Sequence, residues 1–355
     1  MRLHCVSLPH IQTHRDWSWC AYGSKCEKFT RMMTAQGYPV TLYAGSISDY
    51  PDTVAVIEGP QTPEVVEPEW TQDYFREMNE NAIAAIRERI SPGDIICPIA
   101  GVCQQPIAEA FPDNLSVEFG VGYEGTFSAF RVFESFAWMH SVYAAQQGGA
   151  MAANGRFYDA VIPNYFDVDQ FPEGKGDGGY LLFMARLIER KGIQIAVDVS
   201  KRTGIPLKIA GQGTPPDHGE YVGVVGPEER AELMGGAIAI VAPTLYVGPF
   251  EGVVVEAAIC GTPAITTDFG AFVETVEDGV TGYRCHTQPE FDAAALKLAG
   301  QKDWERWHMR TETRDRAISL YSLETCGEMY DRYFQRVSGL CGGEVGDFYG
   351  NLVAV

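Results

Sequence analysis

The chain has 355 residues, 46% of them hydrophobic and 21% charged, which is long enough for two cores and too apolar for general disorder. Its formal net charge of −20 is shared by both halves, which argues against a protein that works by neutralising a phosphate polymer or an anionic bilayer. Nine cysteines without metal-like spacing, a start MRLHCVSLPH without a signal-peptide core, and no apolar run approaching about 18–20 residues together predict free thiols, a reducing cytoplasm and no integral membrane association.

In chain order, residues 3–8 form a short apolar strand, followed by a loop rich in His, Thr and Trp. An amphipathic helix over 21–36 stops at Gly37. Residues 38–44 are a second strand, completing a β-loop-α-β unit of the kind that builds parallel sheets. The cations Arg15, Lys25, Lys28 and Arg31, offset by Asp16 and Glu27, fit a solvated helix face. Residues 72–90 carry helical spacing in Phe75, Met78, Ile83, Ile86 and Ile90, and Ser91-Pro-Gly ends them before a strand over 94–98.

The stretch Pro172-Glu-Gly-Lys-Gly-Asp-Gly-Gly has the most flexible composition and sets the expected boundary of an N-terminal domain, 1–172. Alternation then restarts, with strands over 180–185, 207–210, 221–225, 237–242 and 264–267 and helices over 192–203, 228–234 and 253–260. Residues 173–320 are therefore expected to form a second doubly wound domain. Two terminal helices follow, and 338–355 is expected to be a loosely held tail.

The chemistry concentrates in Thr244-Leu-Tyr-Val-Gly-Pro-Phe-Glu-Gly-Val-Val-Val-Glu-Ala-Ala-Ile-Cys-Gly-Thr-Pro, with Glu274 and Val276-Glu-Asp-Gly-Val-Thr-Gly-Tyr beyond it. A loop entering a helix here offers early amides to an anionic diphosphate, and Gly252 permits close backbone approach. Upstream lies Leu182-Phe-Met-Ala-Arg-Leu-Ile-Glu-Arg-Lys-Gly, an arginine and a lysine after an apolar strand.

On these residues the sequence resembles glycosyltransferase family 4, the glycosyl transferases group 1. The resemblance implies the GT-B fold, two doubly wound Rossmann-like α/β domains facing across a cleft, with residues 321–337 crossing back to the first. It also implies retaining transfer of a hexose from a nucleotide-diphosphate sugar, of the UDP-glucose kind, to an acceptor hydroxyl. Arg186 and Lys191 match the diphosphate ligands, a task otherwise given to a metal, so neither metal nor cofactor is expected. Glu256 matches the carboxylate that binds the ribose hydroxyls. Gly211, Gly213, Val224, Gly252, Val253 and Val254 would complete the donor pocket.

The departure from the family pattern is specific. Gly248 stands where the family has the Glu that contacts the donor sugar, and Glu251 stands where it has Gly. Three alternatives are open: Glu251 takes over, donor recognition has changed, or the protein no longer transfers sugar.

In the N-terminal half, Ile162-Pro-Asn-Tyr-Phe-Asp resembles the family's element near the end of that domain. His10, Thr13 and His14 after the first strand, and Tyr123 after Val117-Glu-Phe-Gly-Val-Gly, are acceptor-side candidates; Glu124 is a second candidate, with Glu251, for reading the sugar. His140 has the surroundings of a packed residue. The acceptor is a small molecule, a glycan or a modified nucleic-acid base, the last disfavoured by the acidic N-terminal domain. A GT-B sugar-nucleotide 2-epimerase and a non-catalytic nucleotide-sugar-binding protein are the alternatives.

Overall fold

A computed structural model describes residues 1–339 except 18, 65 and 67; of the expected tail, 340–355 lie outside the described residues. The chain divides into two compact units. The first comprises Met1–Glu134, Met139–Tyr165 and residues 323–339; the second comprises Ser135–Trp138 and Phe166–Ser322.

The first unit is built on a seven-stranded parallel sheet. Its strands are β1 (Leu3–Val6), β2 (Val40–Ala44), β3 (Thr53–Ala55), β4 (Ile95–Cys97), β5 (Leu115–Val121), β6 (Phe130–Phe133) and β7 (Ala160–Val161), in the order β3-β2-β1-β4-β5-β6-β7. β1, β2 and β4 are buried along their whole length, which is why they read as apolar runs rather than alternating ones. Helix Ala21–Ala35 lays Cys26, Phe29, Met32 and Met33 on this core, and Phe29 stacks on Phe119 with centroids 4.1 Å apart. The last helix, Leu323–Ser338, packs in the same unit, where Tyr330 and Phe334 meet Phe29.

Lys25 departs from expectation. It lies on the buried face of its helix, 2% exposed, donating to Gly120 O at 3.0 Å and pairing with Glu134 at 2.8 Å. Its position between Tyr22 and Phe29 already put it on the apolar stripe, and the buried carboxylate makes burial of the charge tolerable. Lys28 likewise turns to Tyr165 O, at 2.7 Å, while Arg31 pairs with Glu27 at the helix surface, as a solvated face requires. A second buried pair, Arg131 with Asp159, is completed by Thr126, Gln146 and Tyr143.

The second unit has a six-stranded parallel sheet of β8 (Leu181–Met184), β9 (Leu207–Ala210), β10 (Glu220–Gly223), β11 (Ala239–Ala242), β12 (Ala264–Thr267) and β13 (Gly282–Cys285), ordered β10-β9-β8-β11-β12-β13. The glycine run near 172 is no linker. Gly174, Gly176 and Gly178 donate their amides to Cys260 O, Gly235 O and Gly236 O at 3.0, 2.9 and 3.0 Å, so the run lies inside this unit and the chain changes unit at Tyr165/Phe166. A Cβ at Gly174 would fall on the backbone of Gly235; close approach, not flexibility, demands glycine there.

Helix Asp303–Tyr321 holds this edge together. Arg310, almost fully buried, donates to Ala237 O, Gly235 O and Cys260 O at 3.2, 3.0 and 3.1 Å, and Arg314 reaches Phe171 O and Ile259 O. These arginines add side-chain donors at the C-terminal ends of helices Pro227–Gly236 and Gly252–Ile259, where Gly235 O and Cys260 O also accept the amides of Gly176 and Gly174.

Candidate functional site

In the second unit the strand order runs outward from β8 to β9 and β10, then restarts at β11 on the other side of β8. Ligands of open α/β sheets bind at such a reversal, beyond the carboxyl ends of the strands. The loop after β8 carries Arg186, Arg190 and Lys191; the loop after β11 carries Tyr246, Gly248 and Glu251. The two are joined where Leu245 N–H donates to Arg190 O at 2.9 Å, and Gly192, at φ 72°, presses against Pro243 O so closely that no Cβ would fit.

The loop after β9 is stitched to the same place. Leu187 N–H donates to Gln212 O at 2.7 Å, and a Cβ on Gly211 (φ 135°) would strike Ala185 O. Gly211 and Gly213 thus bring the β9 turn against the β8 loop. That is a packing reason for glycine at both positions, independent of any ligand.

Lys191 and Glu251 meet at the centre. The ammonium is 2.8 and 2.6 Å from the two carboxylate oxygens, with side chains 14% and 7% exposed. Glu251 is the one non-glycine residue at positive φ among the described residues, with φ 62° and ψ 58°. A residue with a Cβ pays about 1–2 kcal/mol for that conformation. Its carboxylate folds back over Gly248, where any Cβ would collide with it. Glycine at 248 and glutamate at 251 are therefore one coupled feature: the missing side chain of one makes room for the other.

Arg186 is exposed, and its guanidinium has no hydrogen bond or ion pair among the described residues. Arg190 lies over the Tyr246 ring, 4.3 Å from its centroid, and Lys191 approaches the same ring at 5.0 Å. Helix Gly252–Ile259 begins just past Glu251, and by helix geometry the N–H groups of Gly252 and Val253 have no partner within it. Val254, expected at the pocket, turns inward instead: its side chain is in the core and its amide donates to Glu251 O at 3.1 Å. Val224 is exposed at the end of β10, an edge strand separated from β11 by β9 and β8.

Glu256, on the same helix, is 3.6 Å from Arg230, whose Nε is buried without a partner among the described residues. Arg230 gave no sequence signal, because only the fold brings helix Pro227–Gly236 beside Glu256. Within the second unit Glu274 accepts the amides of Phe136 and Ala137 at 3.0 Å each. Among the described residues there is no cluster of three or more His, Cys, Asp or Glu arranged to hold a metal, and no helix long and apolar enough to cross a membrane.

The first-unit candidates are tied into their own loops. Thr13 is buried, its hydroxyl 2.8 Å from that of Ser7. His14 sits between Asp16 at 3.4 Å and Asp49 at 3.0 Å. His10 is buried among Trp19, Trp70 and Cys20, and burial pushes its pKa down to about 4, leaving a neutral imidazole. His10 Nδ1 is buried without a hydrogen-bond partner among the described residues. Tyr123 donates to Glu118 at 3.1 Å, and Glu124 is exposed. His140 is exposed rather than packed.

Glu118, which no sequence pattern marks, lies on β5 with no exposed surface. It accepts the amides of Phe127 and Ser128 at 3.0 and 2.8 Å, yet burial raises its pKa to about 7, outweighing those bonds.

Residues 178–301 match the family model described as Glycosyl transferases group 1. Over 161 residues the chain is 34% identical to glycogen synthase of Mycobacterium tuberculosis, a match covering 39% of this chain and 38% of that one. It is 31% identical over 161 residues to phosphatidyl-myo-inositol mannosyltransferase of Mycobacterium leprae, covering 39% and 42%. The matches thus span about two fifths of the length of these curated relatives.

Among solved structures, sucrose-phosphate synthase from Thermosynechococcus elongatus superposes with a TM-score of 0.74 at 16% identity, over 95% of this chain and 99% of that one. AviGT4, a glycosyltransferase of avilamycin A biosynthesis, gives 0.68 at 20% identity, over 96% and 98%. HepE of Anabaena, in complex with UDP and glucose, gives 0.66 at 12% identity, over 95% and 100%.

Proposed function

From a chain that has the GT-B fold and resembles the glycosyl transferases group 1 through residues 178–301, we propose a retaining glycosyltransferase. It moves a hexose from a nucleotide-diphosphate sugar, of the UDP-glucose kind, to a hydroxyl on a small molecule or glycan. The observation that carries this reading is the meeting, at one switch point, of an unpaired arginine, a lysine held by an exchangeable carboxylate, and a helix start with free amides. The solved HepE structure with UDP and glucose supports a UDP-linked donor on this fold.

In this reading Arg186 and Lys191 clamp the diphosphate, joined by the amides of Gly252 and Val253, and stabilise the charge that builds on it as the glycosidic bond breaks. Glu256, steadied by Arg230, accepts hydrogen bonds from the ribose hydroxyls. Glu251 faces the sugar. The protein's own cations neutralise the leaving group, so the reading requires no metal. No protein nucleophile is needed either: the departing diphosphate takes the acceptor's proton on the face of the sugar it leaves, and positioning supplies most of the remaining rate.

The test is a thermal-shift screen against UDP-, GDP- and ADP-sugars, followed by transfer assays with the best donor and NMR of the product anomer. Retention of the donor's anomeric configuration is expected. An inverted product overturns the mechanism, and the absence of any stabilising nucleotide sugar overturns the donor site itself.

A further inference from the structure

We propose, resting on the donor-site reading above, that Glu251 determines specificity: it admits a sugar-capped diphosphate and rejects the bare nucleoside diphosphate. Three observations carry this. Its carboxylate already occupies Lys191 through both oxygens, at 2.8 and 2.6 Å, so any anion that uses the ammonium must displace or share it. The backbone holds it there in a left-handed conformation that no other non-glycine described residue adopts. The carboxylate of Glu251 lies where a Cβ at 248 would stand, so the placement depends on two positions, not one.

The two ligands differ where Glu251 sits. A bare diphosphate ends in a phosphate monoester, which carries about −1.5 to −2 near neutral pH. Beside a fixed carboxylate that group is repelled, and it offers Glu251 no strong donor in return. In a nucleotide sugar the same phosphorus is esterified, so one ionisable oxygen is lost and the sugar supplies hydroxyl donors. Glu251 can release Lys191 to the capped phosphate and accept from those hydroxyls. A cation at this site without such a carboxylate would favour the more negative ligand. The consequence is directional: the nucleotide left after transfer is expelled, and product inhibition is weak.

The experiment is isothermal titration of the full chain with UDP and with UDP-glucose, repeated with the GDP and ADP pairs. It compares wild type, Glu251→Gln and Gly248→Ala, with circular dichroism as the folding control. Glu251→Gln keeps the shape and removes the charge. Gly248→Ala keeps both charges and pushes the carboxylate off Lys191; its φ permits alanine, and the nearest atoms to the added methyl belong to the flexible side chain of Glu251.

Wild type is expected to prefer the nucleotide sugar. Glu251→Gln should tighten the bare nucleotide about tenfold and weaken the nucleotide sugar, collapsing the ratio, with Gly248→Ala shifting it the same way by less. A folded Glu251→Gln protein with an unchanged ratio overturns the proposal while leaving the donor site standing. Binding of neither ligand class by any of the three proteins removes the donor site and this proposal together.

Discussion

The loops beyond β8 and β11 in the second unit and those beyond β1 and β5 in the first all leave the carboxyl ends of parallel strands, yet they treat polar side chains differently. Around β1 and β5 most of the candidate polar groups are spent on the protein, Thr13 on Ser7, His14 on two aspartates, Tyr123 on Glu118 and Glu118 on two amides, while His10 Nδ1 is buried without a partner among the described residues. Around β8 and β11, Arg186 is left unpaired, and Lys191 is held by a carboxylate on a strained backbone. Polar residues that satisfy one another build a loop. Those left unsatisfied, or held at a cost, are poised for a ligand.

The contrast is broken most severely at the buried ion pair of the first unit. Replacing Arg131 by Met leaves Asp159 buried without its cation and should cost about 3–5 kcal/mol, read as a loss of unfolding free energy in denaturant. An Arg186→Ala protein should unfold as wild type does, because that exposed side chain has no hydrogen bond or ion pair to lose among the described residues.

Next comes activity. Lys191→Ala should lower turnover by about 10²–10³-fold with the fold intact, while His14→Ala should leave turnover within a few fold. Equal effects from the two variants would erase the distinction between the units.

A pH series sharpens the comparison further. With its pKa raised from the usual 4.5 to about 7, Glu118 binds its proton more tightly in the folded state than in the unfolded one. Its stabilising contribution is full below the ordinary carboxylate range and is lost as pH rises through about 7. Wild type should lose about 2 kcal/mol more than Glu118→Gln between pH 5 and pH 8, measured by urea unfolding. A parallel pH dependence in the two proteins would show that this carboxyl is not buried in its protonated form.

The smallest effect is expected at Glu251. Glu251→Gly relieves the left-handed backbone, worth about 1 kcal/mol, but leaves Lys191 unpaired, so stability should move little while discrimination between donor and bare nucleotide is lost.

The loops beyond β8 and β11 stood out in the sequence because their residues are local: Arg186 and Lys191 share one loop, and Gly248, Glu251 and Glu256 share one segment. What was not legible depends on long-range contacts. A glycine run has the same composition whether it is a linker or, as at Gly174 against Gly235, a place where two backbones touch. The charge on Lys25 masked a helical spacing that put it inside, and its partner Glu134 is remote in sequence. Glu118 gave no sign because strands in a parallel sheet are buried on both faces, so alternation does not mark a polar side chain that turns inward. Arg230 acquires a role only once two helices lie side by side.

The most direct test of the donor site is isothermal titration of UDP-glucose, and of its GDP and ADP counterparts, into wild type and into an Arg186→Ala/Lys191→Ala protein. Wild type should bind one of these donors, and the double variant should lose at least about 100-fold in affinity for it while remaining folded. Unchanged affinity in the double variant would contradict the assignment of the diphosphate to the switch point between β8 and β11.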